Sequence, residues 1–406
     1  MEVMFLGICL TGFSLFDLIE YPQWKSNPQP TTSSYRMAMI IGQIPAWMIV
    51  SYTARPLETL PYILTSKFIL NVLANATEDP KYFAFHGLLD SSLALLLIMA
   101  ILSWYTLEEV IIRFLLWAIL CPRLTLMVVP MEIASRFLGV ESMLLSVNTL
   151  ACVLCVCDRR TKGFSGIFGR PMDVSWLPMD QKSVISSRAA MGKFALGTNT
   201  RSLAKVPLST ILSRGALVFA AALLSKSYTG VWSRTDRDYV IDNAVFVLIA
   251  SALGFVMYRV PSVSYYIMVS CSILSGCIIL LPNVNSTPTS HYLLFQVVMS
   301  LAEIVQPIIW TIAVHEASTW SEAAGMICVA GAGSAVGQLT FETDRQGTIN
   351  FLLIPAQMSI WYLLWIVCGR MGAACVKGGL RSLWRTTKTP QHDDPVSRGQ
   401  TTCGAV

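Results

Sequence analysis

The chain is short of charge. Of its 406 residues only 13% are Asp, Glu, Lys or Arg, while 54% are hydrophobic; typical soluble domains are about a quarter charged. That scarcity excludes an ordinary soluble protein and places the chain in a bilayer. At about 20 apolar residues per crossing helix, the length holds roughly ten to twelve spans, which leaves no room for a sizeable soluble domain. A disulfide framework is missing as well. The eleven cysteines are an odd number, and all but Cys403 fall in or beside apolar stretches, which is packing usage. Residues 1–19 lack a basic leader and carry Glu2 and Asp17, so they fail as a cleaved signal peptide and read as the first span. Lys and Arg exceed Asp and Glu by 29 to 24, but their distribution follows membrane orientation and not a nucleic-acid surface.

What is there is a series of apolar runs. Hydropathy predicts spans near 3–20, 36–54, 57–74, 84–103, 109–130 and 137–157, and again near 207–225, 240–258, 262–282, 290–314, 322–341 and 350–372. Two read equally as interfacial helices: 57–74 contains Glu58 and Lys67, and 207–225 opens through Arg214. The expected fold class is therefore all-α integral membrane, with about 12 transmembrane helices in two six-helix halves: residues 1–157 and 206–375, joined by a loop over 158–205 and followed by a tail over 376–406.

The loop 158–205 carries nine Lys or Arg against three Asp. The stretch from Arg370 through Lys377, Arg381, Arg385 and Lys388 meets no acid until Asp393. Basic residues beside helix ends are retained in the cytosol, so loop and tail are expected there, with an even number of spans between them. Two glycosylation acceptors, Asn75-Ala76-Thr77 and Asn285-Ser286-Thr287, then fall in loops on the opposite side, where such sites are usable.

A tight loop follows the second span of each half, Ala54-Arg55-Pro56 and Tyr258-Arg259-Val260-Pro261. With two six-helix halves around a basic loop, this plan resembles the major facilitator superfamily, whose corresponding loop is Gly-rich with an Asp-Arg; here the Arg is kept. Residues 316–338 are Gly-rich, with Gly331, Gly333, Ser334 and Gly337 at helical spacing, and resemble the eleventh helix of fungal anion:cation symporters of the allantoate-permease type. Small residues so spaced let another helix approach closely. Ala118-Ile119-Leu120-Cys121-Pro122-Arg123-Leu124-Thr125 lacks the glycines that a drug-proton antiporter carries in its fifth span. The resemblance implies transport by alternating access.

Ionisable groups at bilayer depth are costly and point to function. Glu303, with Gln306 and Trp310 on one helix face and Pro307 to bend the helix, is the leading substrate or proton-coupling candidate; a structural hydrogen bond is the plainer reading. His86 and Asp90 share a face one turn apart and read either as a proton relay or as a pair near a wet helix end. Arg123 suits an anionic substrate group or neutralises an acid such as Asp90. Cys152, Cys155 and Cys157 beside Asp158-Arg159-Arg160 suit packing or palmitoylation, and metal ligation lacks a fourth ligand. Asp236, Asp238 and Asp242 superficially resemble one motif of membrane prenyltransferases, but the second Asp-rich motif is missing, and they are expected in a solvated loop.

These features lead to a multi-pass transporter of the plasma membrane or an endomembrane. Its partners are a small organic solute and the bilayer, without nucleic acid, metal or cofactor, and the intramembrane carboxylates make proton coupling one way to drive the solute's passage. The alternative is a membrane enzyme of specialised metabolism, a terpenoid cyclase or an acyl or prenyl transferase, using an intramembrane carboxylate.

Overall fold

The computed structural model describes residues 29–52, 56–60, 62–63, 66–67, 69–70, 73, 81–119, 178–188, 208–226, 236–260, 263–279, 292–317, 319–342 and 355–370. Within them the regular structure is helical throughout. The helices are α1 (Gln29–Tyr52), α2 (Lys81–Trp104), α3 (Leu107–Ile119), α4 (Met179–Arg188), α5 (Leu208–Lys226), α6 (Asp236–Arg259), α7 (Val263–Ile279), α8 (Tyr292–Glu316) and α9 (Trp320–Glu342), with a 3-10 turn at Pro56–Thr59. The chain divides into two compact units, Met1–Leu363 and Leu364–Val406. Residues 355–363 of the first and 364–370 of the second are helical.

The second and fourth expected spans coincide with α1 and α2, the first half of the fifth with α3, and the seventh to eleventh with α5 to α9; residues 120–130 of the fifth lie outside the described residues. The first and sixth lie outside the described residues. By length and composition alone, Ala84–Trp104 is the one described helix that qualifies as a bilayer crossing, and Ala244–Arg259 and Val263–Cys277 are shorter apolar helices. The Asp-rich run does not form the expected loop: the helix α6 starts at Asp236 and takes in Asp238 and Asp242.

From Leu93 to Leu102 α2 is apolar on every side, with Leu93, Leu96, Ile98 and Leu102 fully buried, as a helix segment enclosed by others must be. Around it gather Val110 and Phe114 of α3, Ala313 and Val314 of α8, Ala323, Ala324 and Ile327 of α9, and Ala46 and Val50 of α1. Lipid tails are as apolar as these side chains, so association rests on close packing and small residues. A Cβ on Gly333 would lie 2.7 Å from the Phe219 carbonyl oxygen, and one on Gly337 would overlap that of Leu223, so α9 lies backbone to backbone on α5.

Two tight turns reverse the chain by the same device. Between α2 and α3 the Thr106 N–H donates to Glu109 Oε2 at 3.2 Å. Between α8 and α9 the Glu322 N–H donates to Thr319 Oγ1 at 3.2 Å. Both are Thr-x-x-Glu helix starts, and each shows one half of the pattern: the carboxylate takes the open donor in the first and the hydroxyl takes it in the second.

Packing repeats in the same way. α1 packs on α2 as α6 does on α8; α1 packs on α9 as α6 does on α3; α2 meets α3 and α9 as α8 meets α9 and α3. Exchanging α1, α2 and α3 for α6, α8 and α9 leaves this pattern unchanged, as a parallel internal repeat requires.

Candidate functional site

Two polar clusters are built into the helices, one on α2 and one on α8. The first begins with a glycine. A Cβ at Gly87 would collide with the Tyr35 carbonyl oxygen, so the bare glycine lets the α1 backbone lie directly on α2. That approach brings the Tyr35 hydroxyl to Asp90, to whose Oδ2 it donates at 2.8 Å. Lys67 Nζ donates to the other oxygen, Oδ1, at 2.6 Å. Both charged side chains are almost sealed from solvent, each 6% exposed. An ion pair so deep holds only when each partner is compensated, and Tyr35 adds a further donor to the carboxylate.

His86, one turn before Asp90, is fully buried and lies in the field of both the Asp90 and the Lys67 charges. This corrects one of the readings above, since His86 is not at a wet helix end, and it gives Asp90 a neutralising partner in Lys67. Arg123 lies outside the described residues, as do Asn75, Asn285 and the cysteines at 152, 155 and 157. Lys67 was marked in the sequence only as an oddity of the third span. Asking which buried acid could neutralise it would have found the pair, because two ionisable groups in adjacent apolar runs rarely stay apart.

On α8, Glu303, Gln306 and Trp310 are each half-buried, whereas Ile304, Val305, Ile308 and Ile309 between them are sealed. Pro307 has no N–H to offer the Glu303 carbonyl one turn back, which loosens the helix there. Its own carbonyl accepts from Thr311 Oγ1 at 2.9 Å. Ser334 of α9 donates to Gln306 Oε1 at 2.7 Å, so the serine of the Gly-rich run fixes the amide beside Glu303. Trp310 stands edge-on to Phe114 of α3, with ring centres 5.6 Å apart. The structure thus keeps the three predicted residues on one strip and ties that strip to α3 and α9.

A third set of contacts lies where α8 turns into α9. Arg214, the residue that made the seventh span ambiguous, donates to the Glu316 carbonyl at 2.7 Å and to Glu322 Oε1 at 3.1 Å. From α1, Trp47 Nε1 donates to the Ser321 carbonyl at 3.1 Å and Ser51 Oγ meets Ser321 Oγ at 2.8 Å. Arg36 of α1 donates to Gln338 further along α9. An apolar groove of about 480 Å³, lined by Gly215, Ala216, Phe219, Val329, Met358 and Tyr362 among others, contains no Asp, Glu, Lys, Arg or His and none of the predicted site residues.

No protein-family model and no curated protein sequence matches the chain. Among solved structures, the crystal structure of the human organic anion transporter MFSD10 (TETRAN) is similar, with a TM-score of 0.57 and 14% sequence identity over 89% of this chain and 98% of that one. At that identity the likeness speaks for the fold and leaves the cargo open. The helices of this chain therefore take the fold of a major facilitator transporter, the fold that the two-half plan of the sequence resembles.

Proposed function

We propose that the chain is a proton-coupled secondary transporter of a small organic solute, working by alternating access between one half that includes α1–α3 and another that includes α5–α9. The observation that carries this reading is the packing pattern, which survives exchange of α1, α2 and α3 for α6, α8 and α9. Two equivalent units meeting along α1–α9 and α3–α6 can rock about a shared site. The similar structure is titled an organic anion transporter, which supports an organic solute as cargo.

Glu303 is the substrate or coupling residue of this reading. α8 packs against α3, α5, α6, α7 and α9, and in this reading its half-exposed strip of Glu303, Gln306 and Trp310 faces a space inside the bundle. A carboxylate at bilayer depth costs about 2.5 kcal/mol or more, and such a space offers it water or a ligand. The basic loop 158–205 and the tail lie in the cytosol, and Asn75 and Asn285 on the other side. Proteoliposomes with the purified full-length chain provide the test: solute uptake driven by an imposed pH gradient, lost in Glu303→Gln, is the expected result. Uptake absent across a metabolite panel would refute the reading.

A further inference from the structure

The apolar groove beside α5 follows from the packing around it. α9 lies on α5 through glycines: Gly333 and Gly337 against the carbonyls of Phe219 and Leu223, and Gly215 against Val329, whose Cγ1 a Cβ there would meet at 3.3 Å. The helical residues 355–363 are held by a different set of contacts. Ala356, Ile360 and Leu363 form their buried face, and a Cβ on Gly276 of α7 would lie 2.9 Å from Leu224 of α5 and 3.1 Å from Ile360. Between the two sets α5 presents Gly215, Ala216 and Ala220, too small to fill the space toward Met358, Ser359 and Tyr362, and a groove of about 480 Å³ results. We propose that this groove is a sterol site, which takes the flat ring body of an uncharged membrane lipid and bonds its single hydroxyl through Ser359 or Tyr362. The inference goes beyond the transport reading and needs only that these helices lie in a bilayer.

Charge selects the class of lipid. No Asp, Glu, Lys, Arg or His lines the groove, so it has no partner for a phosphate, whereas sites for anionic head groups are basic. Arg214, next to Gly215 in the chain, is engaged on Glu322 and on the Glu316 carbonyl. The hydroxyls of Ser359 and Tyr362 select for a hydrogen-bonding oxygen. They are three residues apart, hence neighbours on the helix surface, and among the described residues neither has a protein partner. Hydrocarbon offers them none, and a hydroxyl left unmet in apolar surroundings keeps its desolvation penalty. A lipid with one O–H, which both donates and accepts, removes that penalty.

Shape selects a stiff body over an acyl chain. Gly215, Ala216 and Ala220 make a smooth floor, and Phe219 and Tyr362 add aromatic surface. A fused ring system has few torsions to lose on such a surface, while an acyl chain has many, so the rigid lipid binds at the smaller entropic cost. The volume falls within the roughly 300–1,000 Å³ of small-molecule sites. Access is from outside the bundle, since Met358 is 67% exposed and Ala216 is exposed as well. One occupant would touch α5, α9 through Val329, and the helical residues 355–363 together. It would therefore brace α9, the helix whose Ser334 fixes Gln306.

The test places the purified full-length chain in phosphatidylcholine vesicles with a cholesterol analogue that carries a photoreactive diazirine on its ring system. A parallel sample holds phosphatidylcholine with the same group on an acyl chain. The cholesterol probe is expected to mark α5 and residues 355–363 above all other helices, and unlabelled cholesterol to compete it away; the phosphatidylcholine probe should show no such preference. Ala216→Trp fills the groove from an exposed position and should abolish the preference. Ser359→Ala with Tyr362→Phe keeps the shape and removes both hydroxyls, so cholesterol should compete about fivefold more weakly, as loss of one hydrogen bond implies. This paired variant decides the matter if the tryptophan variant does not elute as the parent does. The proposal falls if the phosphatidylcholine probe marks the groove as strongly, which would make an acyl chain its occupant. It falls equally if cholesterol labelling survives Ala216→Trp in a folded protein, or if the paired variant competes as the parent does. Flux assays speak to a separate matter: labelling without flux refutes transport and leaves the site, and flux without labelling does the reverse.

Discussion

α2 and α8 hold equivalent places in the packing of the helices, and each carries one acid well inside its apolar stretch, yet the two acids are treated in opposite ways. Asp90 is sealed, with a lysine on one oxygen and a tyrosine on the other. Glu303 sits on a half-open strip, in a helix loosened by Pro307 and beside an amide fixed from α9. The lesson is that a repeated architecture repeats its packing and its turns, and not its chemistry. Equivalent helices are free to specialise because the exposed or sealed state of an acid depends on a few neighbours, here Gly87 and Lys67 against Pro307 and Ser334.

The largest effect should come from breaking the sealed site. Asp90→Ala removes the carboxylate that the buried Lys67 bonds, and loss of one partner of such a pair typically costs about 3–5 kcal/mol. The midpoint of thermal unfolding of the purified protein should fall sharply, while Glu303→Ala leaves it nearly in place. Equal losses in the two variants would erase the contrast. Next comes Glu303→Gln, expected to reduce pH-driven flux by at least about tenfold, or about 1.4 kcal/mol in transition-state terms, with the unfolding midpoint unchanged. Phe114→Leu removes the edge-on partner of Trp310 and should lower stability by about 0.5–1.5 kcal/mol beyond the lost area, read from the same melting curves. Ser334→Ala should have the smallest effect, about 1 kcal/mol or less, and is best read as weaker solute affinity, since its role is to hold Gln306.

Much of the fold was legible because α2, α8 and α9 are long apolar runs: 84–103 was expected, and α2 covers Lys81–Trp104. The misses share a cause. Hydropathy finds the greasy part of a helix and not its hydrogen-bonded extent, so α1 begins at Gln29 and α6 at Asp236, both ahead of their apolar cores. The glycine spacing of α9 announced a close neighbour but could not say that Gly333 and Gly337 face α5 while Gly331 faces Gln43 of α1. In the α8 cluster, Glu303, Gln306 and Trp310 could be read from one helix by periodicity. The partners that define each cluster, Lys67, Tyr35 and Ser334, come from other helices, and no local pattern links residues 23 or 55 positions apart.

The contacts of Trp47 and Ser51 with Ser321 have a consequence for how often the α1–α9 seam is open. They are hydrogen bonds between uncharged groups, each worth about 1 kcal/mol net. Together they contribute a factor on the order of thirty toward the closed arrangement, beside the Arg36–Gln338 bond across the same seam. On the proposed alternating-access reading, contributions of that size can be offset by a solute that prefers the open form by a few kcal/mol. Had the same seam been closed by buried ion pairs, the minor population would be too small for any modest ligand to recruit.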